Sequence, residues 1–369
     1  MKAFKLIILL LISAHSISAQ TFPDFKSLGR KAMEDYEYSA AAYFMYADYL
    51  RDSVNFHDHI VAGFLLAYEE EYDKSALMYS KIKDTIQVES LSDSLRTFYN
   101  TTCAVLSAHY HYYVDGLNFS KDLEPSRQIH HIRYECYNGL GLYENAIAEL
   151  KLYAEYEYSS QFYVNCLMGG VYRIWGRYDD AIKCFEEAIR LSPAQEYGYY
   201  SLGWCYELKG DDANALKYYN MGVEKCMGTY AYLFLMRGEM YLKQGQKDLA
   251  DKDFAKILQL DKTIEDGSCR QYALHFLGDD AGALRWMDRI LKANPRDPGN
   301  YYDIACLCAR MGLIEESIDA LEKGLERGYR AFAHIRYDDD LDPIKGTQRF
   351  QDIMAKYYAI YEEELRRLQ

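Results

Sequence analysis

The sequence predicts an all-α protein, a solenoid of antiparallel helix pairs, on three observations. Glycines recur at Gly141, Gly176, Gly210, Gly245, Gly278 and Gly312, with spacings of 35, 34, 35, 33 and 34 residues. Two further columns keep step with them. Five residues after each glycine comes a small side chain: Ala146, Ala181, Ala215, Ala250, Ala283 and Ser317. Four further on lies a large one: Leu150, Phe185, Tyr219, Phe254, Met287 and Leu321. Finally, a chain of 369 residues is longer than the ~250–300 residues one compact core usually reaches. A glycine can take the left-handed backbone conformation that ends a helix, so each one marks a turn between two helices. The small column lets those helices approach, and the large column fills the space beside it.

The elements follow in chain order. Lys2 and Lys5 precede the apolar run "LIILLLI", and "SISA" leads to Gln20. A basic start, a short apolar run and a small-residue exit predict a secretory signal over residues 1–19. The apolar run is shorter than the ~20 residues of a membrane span. The expected mature chain begins near Gln20, has no membrane span after signal removal, and is exported to the periplasm or the extracellular space. No cysteine stands near the cut to carry a lipid. Residues 22–126 form a divergent set of helical repeats, with units beginning near 22, 57 and 92. The first keeps Leu28, Gly29, Ala32, Ala41 and Met45, and the second keeps Ala76. The third departs most, with His111 where the small alanine belongs; it is either a distorted repeat or a joint between two sub-arrays. Residues 127–328 hold the regular units, two of them closed by Pro193 and Pro295, which oppose further helix. Residues 329–369 close the chain.

Residues 162–195, with Gly169, Tyr172, Ala181, Phe185, Ala188 and Pro193, resemble the tetratricopeptide repeat, and the likeness holds over 127–328. It implies a right-handed superhelical array of about nine units with a C-terminal capping helix. The segment containing "DDLDP" is similar to the end module of such arrays, with Leu341, Pro343, Phe350 and Ile353 covering the last apolar face. The resemblance also implies that the first helix of each unit lines a concave groove through its second, fifth, ninth and twelfth places. Those places give Tyr163, Arg173, Tyr197, Tyr200, Trp204, Glu207, Tyr232, Glu239, Tyr272, His275 and Tyr302. A Tyr/Trp-lined groove offers rigid contact area at low entropic cost. The family's Lys/Asn clamp for a terminal carboxylate is matched only by Arg96 and Asn100, so that mode of recognition is not expected.

Composition removes other classes. A formal net charge of -14 and a pI near 5.2 oppose nucleic-acid binding, which needs clustered Lys and Arg. The nine cysteines are scattered and fit small buried hydrophobes, with one or two disulfides left open. Cys306 and Cys308 point to different faces of one helix. No zinc-protease, nucleophile-elbow or phosphate-loop motif is found. Two histidine pairs, His109 with His111 and His130 with His131, lack a completing ligand set. The acidic stretch Asp338, Asp339, Asp340 and Asp342 lacks the turn glycine and terminal glutamate of a calcium loop, and reads as a solvated turn. The expectation is therefore a non-catalytic envelope scaffold without cofactor or metal, binding a protein or peptide partner. The alternatives are a glycan or small-ligand binder, or a structural subunit of an envelope complex.

Overall fold

The computed structural model describes residues 56–68, 72–83, 91–226, 228–263 and 269–368. The predicted leader and the unit expected from residue 22 lie outside them. The described residues are helical throughout, without strands, and divide into two compact units. The first holds residues up to His109 together with Asn118–Leu123; the second holds Tyr110–Leu117 and everything from Glu124 onward.

In the first unit, α1 (Phe56–Tyr68) packs against α2 (Tyr72–Lys83) and α3 (Asp93–His109). Ile60, Leu66 and Met78 are fully buried between them. Here Ser75, and not the expected Ala76, stands in the small column: it is fully buried, while Ala76 is half-buried. Its hydroxyl donates to the Gly63 carbonyl at 2.7 Å. Ser317 makes the same bond to Ala305, twelve residues back, also at 2.7 Å. A serine is tolerated in the column because it finds its own acceptor.

α4 (Tyr113–Ser120) follows a turn at His111, whose φ of 64° is the only positive value on a non-glycine residue among those described. His111 therefore occupies the turn position and not the alanine position. The helix before it runs 17 residues, so the turn falls five residues later than the period predicts. The division between the compact units falls beside that turn, after His109.

The second unit continues with α5 (Arg127–Gly139) and α6 (Tyr143–Ala154), α7 (Gln161–Ile174) and α8 (Tyr178–Leu191), α9 (Glu196–Leu208) and α10 (Asp212–Lys225). It then runs through α11 (Ala231–Lys243) and α12 (Lys247–Leu260), α13 (Arg270–Phe276) and α14 (Asp280–Ala293), α15 (Pro298–Arg310) and α16 (Ile314–Glu326). Each of these pairs packs closely within itself. Side-chain oxygens of Ser126, Ser160, Asp211, Asp279 and Asp297 accept backbone N–H groups at the first turn of their helices, satisfying donors that a helix start leaves open. The columns meet as predicted: Ala181, Phe185, Ala215, Tyr219, Ala250 and Phe254 are fully buried. A β-carbon on Gly169, Gly203 or Gly238 would lie 2.7, 2.4 or 2.6 Å from the ring of Phe185, Tyr219 or Phe254.

α17 (Phe332–Tyr337), a 3-10 turn at Asp339–Leu341, α18 (Asp342–Lys345) and α19 (Gln348–Arg366) complete the unit. Leu341, Phe350 and Ile353 are buried against Leu321 and Leu325, as expected. Pro343 is exposed and Ile344 takes the buried place, because proline opens the short helix α18 while the next residue turns inward. The end of α19 returns to the start of the same unit. The Tyr361 hydroxyl donates to the Leu140 carbonyl, and Arg367 pairs with Asp115 at 2.7 Å. No disulfide joins any of the nine cysteines; Cys306 and Cys308 belong to different core clusters.

Candidate functional site

The first helices of neighbouring pairs touch one another, α7 against α9 and α9 against α11, so their free faces line one continuous surface. An ion pair between Glu239 on α11 and Arg310 on α15, at 2.9 Å, reaches across that surface past α13. The residues expected there fall into two groups.

Toward the C-terminal end the surface is filled by the chain itself. Tyr302 stacks on Tyr329 with centroids 4.5 Å apart, lies 5.4 Å from the ring of His334, and donates to Asp338 Oδ2 at 2.6 Å. Arg310 completes its pairing with Asp340 at 2.7 Å. Tyr272 donates to the Asp303 carbonyl at 3.3 Å. Asp338 and Asp340 are thus half-buried and face inward, while Asp339 and Asp342 are exposed, so only half of the acidic stretch is a solvated turn. Ligand atoms of Cys306, Asp338 and Asp340 lie within 4.8 Å of one another. Burial and the charges of Asp297, Asp338 and Asp340 push the Asp303 carboxyl up to about 7. Burial raises Asp340 to about 6 against the lowering effect of Arg310.

Toward the N-terminal end the surface stays open. Tyr163 and Tyr197 are 40% and 38% exposed. Tyr200 is buried at 8% among the rings of Tyr197, Trp204, Tyr230 and Tyr232. Glu207 accepts the Tyr219 hydroxyl at 3.0 Å, and burial raises its carboxyl. Arg173 lies with its guanidinium carbon 3.6 Å from the centre of the Trp204 ring, a cation–π contact. Its Nε is buried without a hydrogen-bond partner, and no carboxylate pairs with it among the described residues. Its charge reaches His334, whose basicity burial and Arg173 lower while Asp338 raises it. His131 extends this end, 6.3 Å from Tyr163 and nearly parallel to it. The other histidines do not converge: His130 bonds to Glu149 at 2.6 Å, and His111 to Tyr113 at 2.5 Å.

The sequence reading missed Asp303, Cys306 and Arg310. A signal was present, since Tyr302, Cys306 and Arg310 recur at four-residue steps on one face of α15. The inward turn of Asp338 and Asp340 had none, because it depends on where the polypeptide goes after α16.

A model of the TPR repeat matches residues 169–210, and a tetratricopeptide-repeat model matches 197–224, 231–264 and 298–327. A chloroplast protein of Arabidopsis thaliana is 25% identical over 118 residues, and the match spans 31% of this chain and 31% of that protein. A tetratricopeptide repeat protein from Parabacteroides merdae, solved by crystallography, shares 16% identity over 70% of this chain and 98% of its own, with a TM-score of 0.49. MamA shares 19% identity over 45% and 92%, with a TM-score of 0.37. No described helix is long and apolar enough to cross a membrane. Over residues 169–224, 231–264 and 298–327 the chain is built of tetratricopeptide repeats.

Proposed function

We propose that the protein is a non-catalytic interaction scaffold that holds a peptide or partner helix against the open end of its first-helix surface. Arg173 carries this reading. Its guanidinium is pinned on Trp204 and has no carboxylate partner among the described residues, on a surface that also carries the exposed Tyr163 and Tyr197. A buried donor without an acceptor is costly, and a partner's carboxylate or carbonyl would supply one. Tyr163 and Tyr197 offer flanking contact, whereas Tyr200 is a core residue of this surface and a poor test position.

Panning a displayed peptide library on the full chain tests the proposal. A shared motif containing an acidic residue should be enriched, and should be lost on Arg173→Ala and on the Tyr163→Ala/Tyr197→Ala pair, at about 2 kcal/mol each. No enrichment, or the same motif on the variants, defeats it. Export belongs to the same proposal and rests on the first nineteen residues. Sequencing the N-terminus of protein recovered outside the cytoplasm should begin at Gln20; a retained initiator methionine would overturn it.

A further inference from the structure

A cleft of about 370 Å³ lies between α13 and α14. Side chains of three arginines, Arg270, Arg285 and Arg289, line it with Trp286 and Leu274, and Asp279 is the one acidic residue among the described lining. Asp279 is already engaged, accepting the Gly282 N–H at 2.8 Å as a helix cap. The neighbouring acids of α14 are taken as well: Asp280 pairs with His275 at 2.7 Å and Asp288 with Lys292 at 2.6 Å. Arg270 and Arg289 lie 5.0 and 4.5 Å from the centre of the Trp286 ring. Arg270 is held by the carbonyls of Leu258 and Asp261 at 2.9 and 2.8 Å. Arg285 and Arg289 are exposed, and among the described residues neither has a hydrogen-bond or ion-pair partner.

Acidic residues outnumber basic ones, 56 to 42, and several exposed arginines find them: Arg177 meets Asp180, Arg190 meets Glu187, and Arg349 meets Glu315. A second observation is independent of charge. Trp286 is only 5% exposed, yet its Nε1–H has no acceptor among the described residues. Among the described residues the cleft thus sets three arginines against one engaged carboxylate, with an indole and a leucine for an apolar body.

We infer that this cleft binds a small organic phosphate monoester. Such a group carries nearly two negative charges at pH 7 and three acceptor oxygens, and guanidinium forks match its geometry in bidentate fashion. The volume falls at the lower end of the ~300–1,000 Å³ of small-molecule sites, which favours a free metabolite-sized ligand. The cleft shares no lining residue with Arg173, Tyr163 or Tyr197, so the inference stands independently of the scaffold reading.

Phenyl phosphate titrated calorimetrically into the full chain tests it. Saturable one-to-one binding is expected, about millimolar or tighter, together with a change in tryptophan emission. The Arg285→Ala/Arg289→Ala pair should weaken binding at least about tenfold with helical content unchanged in circular dichroism. Arg289→Gln, a milder change, should weaken it in the same direction. Benzoate, with a similar ring and one charge, should bind at least about tenfold more weakly. No saturable binding at ~10 mM, undiminished binding by the variants, or benzoate equal to phenyl phosphate would each overturn the inference.

Discussion

Gly169 and Gly176, in and just after one helix, show how different reasons produce one residue type. Gly176 has φ of +79° and nothing within 4 Å of a would-be β-carbon. Its constraint is backbone conformation alone, so Gly176→Ala should cost ~1 kcal/mol. Gly169 is helical, and there the β-carbon would strike the Phe185 ring at 2.7 Å. Gly169→Ala must push an aromatic ring aside and should cost ~1–3 kcal/mol. Urea denaturation of both variants separates the two reasons, and a smaller loss for Gly169→Ala than for Gly176→Ala would contradict them. The turn glycines were legible from spacing, while the glycine sixteen residues before each core ring was less conspicuous. Gly63 and Tyr79 share it, with a would-be β-carbon 2.1 Å from the ring, and that pair would have corrected the register of the divergent unit. His111 was misplaced because a lone histidine carries no mark of a left-handed turn.

At the scale of the helix, hydrophobic columns account for the pairs but not for the polar ties between them. Arg237 on α11 makes two bonds to Asp253 on α12, at 2.8 and 2.7 Å, and a third to Asn220 on α10 at 3.1 Å. Asp253 is 5% exposed. Removing one partner of such a buried pair strands the other, so Asp253→Ala should cost ~3–5 kcal/mol, whereas Arg237→Met/Asp253→Leu should cost much less. Thermal melts of the single and double variants decide this; a double variant as unstable as the single would oppose it. The helix pairs were predictable because spacing alone sets which faces are buried. These cross-ties were not, since Arg237 and Asp253 are sixteen residues apart and fall outside every repeating column.

At the scale of the second unit, the carboxyls gathered near α15 make stability depend on pH. The folded-state values of Asp303 and Asp340 are raised to about 7 and about 6 from an ordinary 3.8. The folded chain therefore binds more protons than the unfolded one between those limits, and stability falls as pH rises. The contribution is full below pH ~4 and is lost on passing pH 6–7. Asp303→Asn should match the parent in acid and exceed it by on the order of 1–2 kcal/mol at pH 8. Denaturant midpoints at pH ~3.5 and 8 measure this, and the same pH dependence in the variant and the parent would refute it. The return of α19 to Leu140 and Asp115 has a different consequence. In an open stack of repeats each unit leans only on its neighbours, and unravelling starts from the two ends. Joining the ends removes both starting points, so a break anywhere must be opened from the middle. Tyr361→Ala with Arg367→Ala should restore the ends, and amide exchange in α5 should then become faster than in α9.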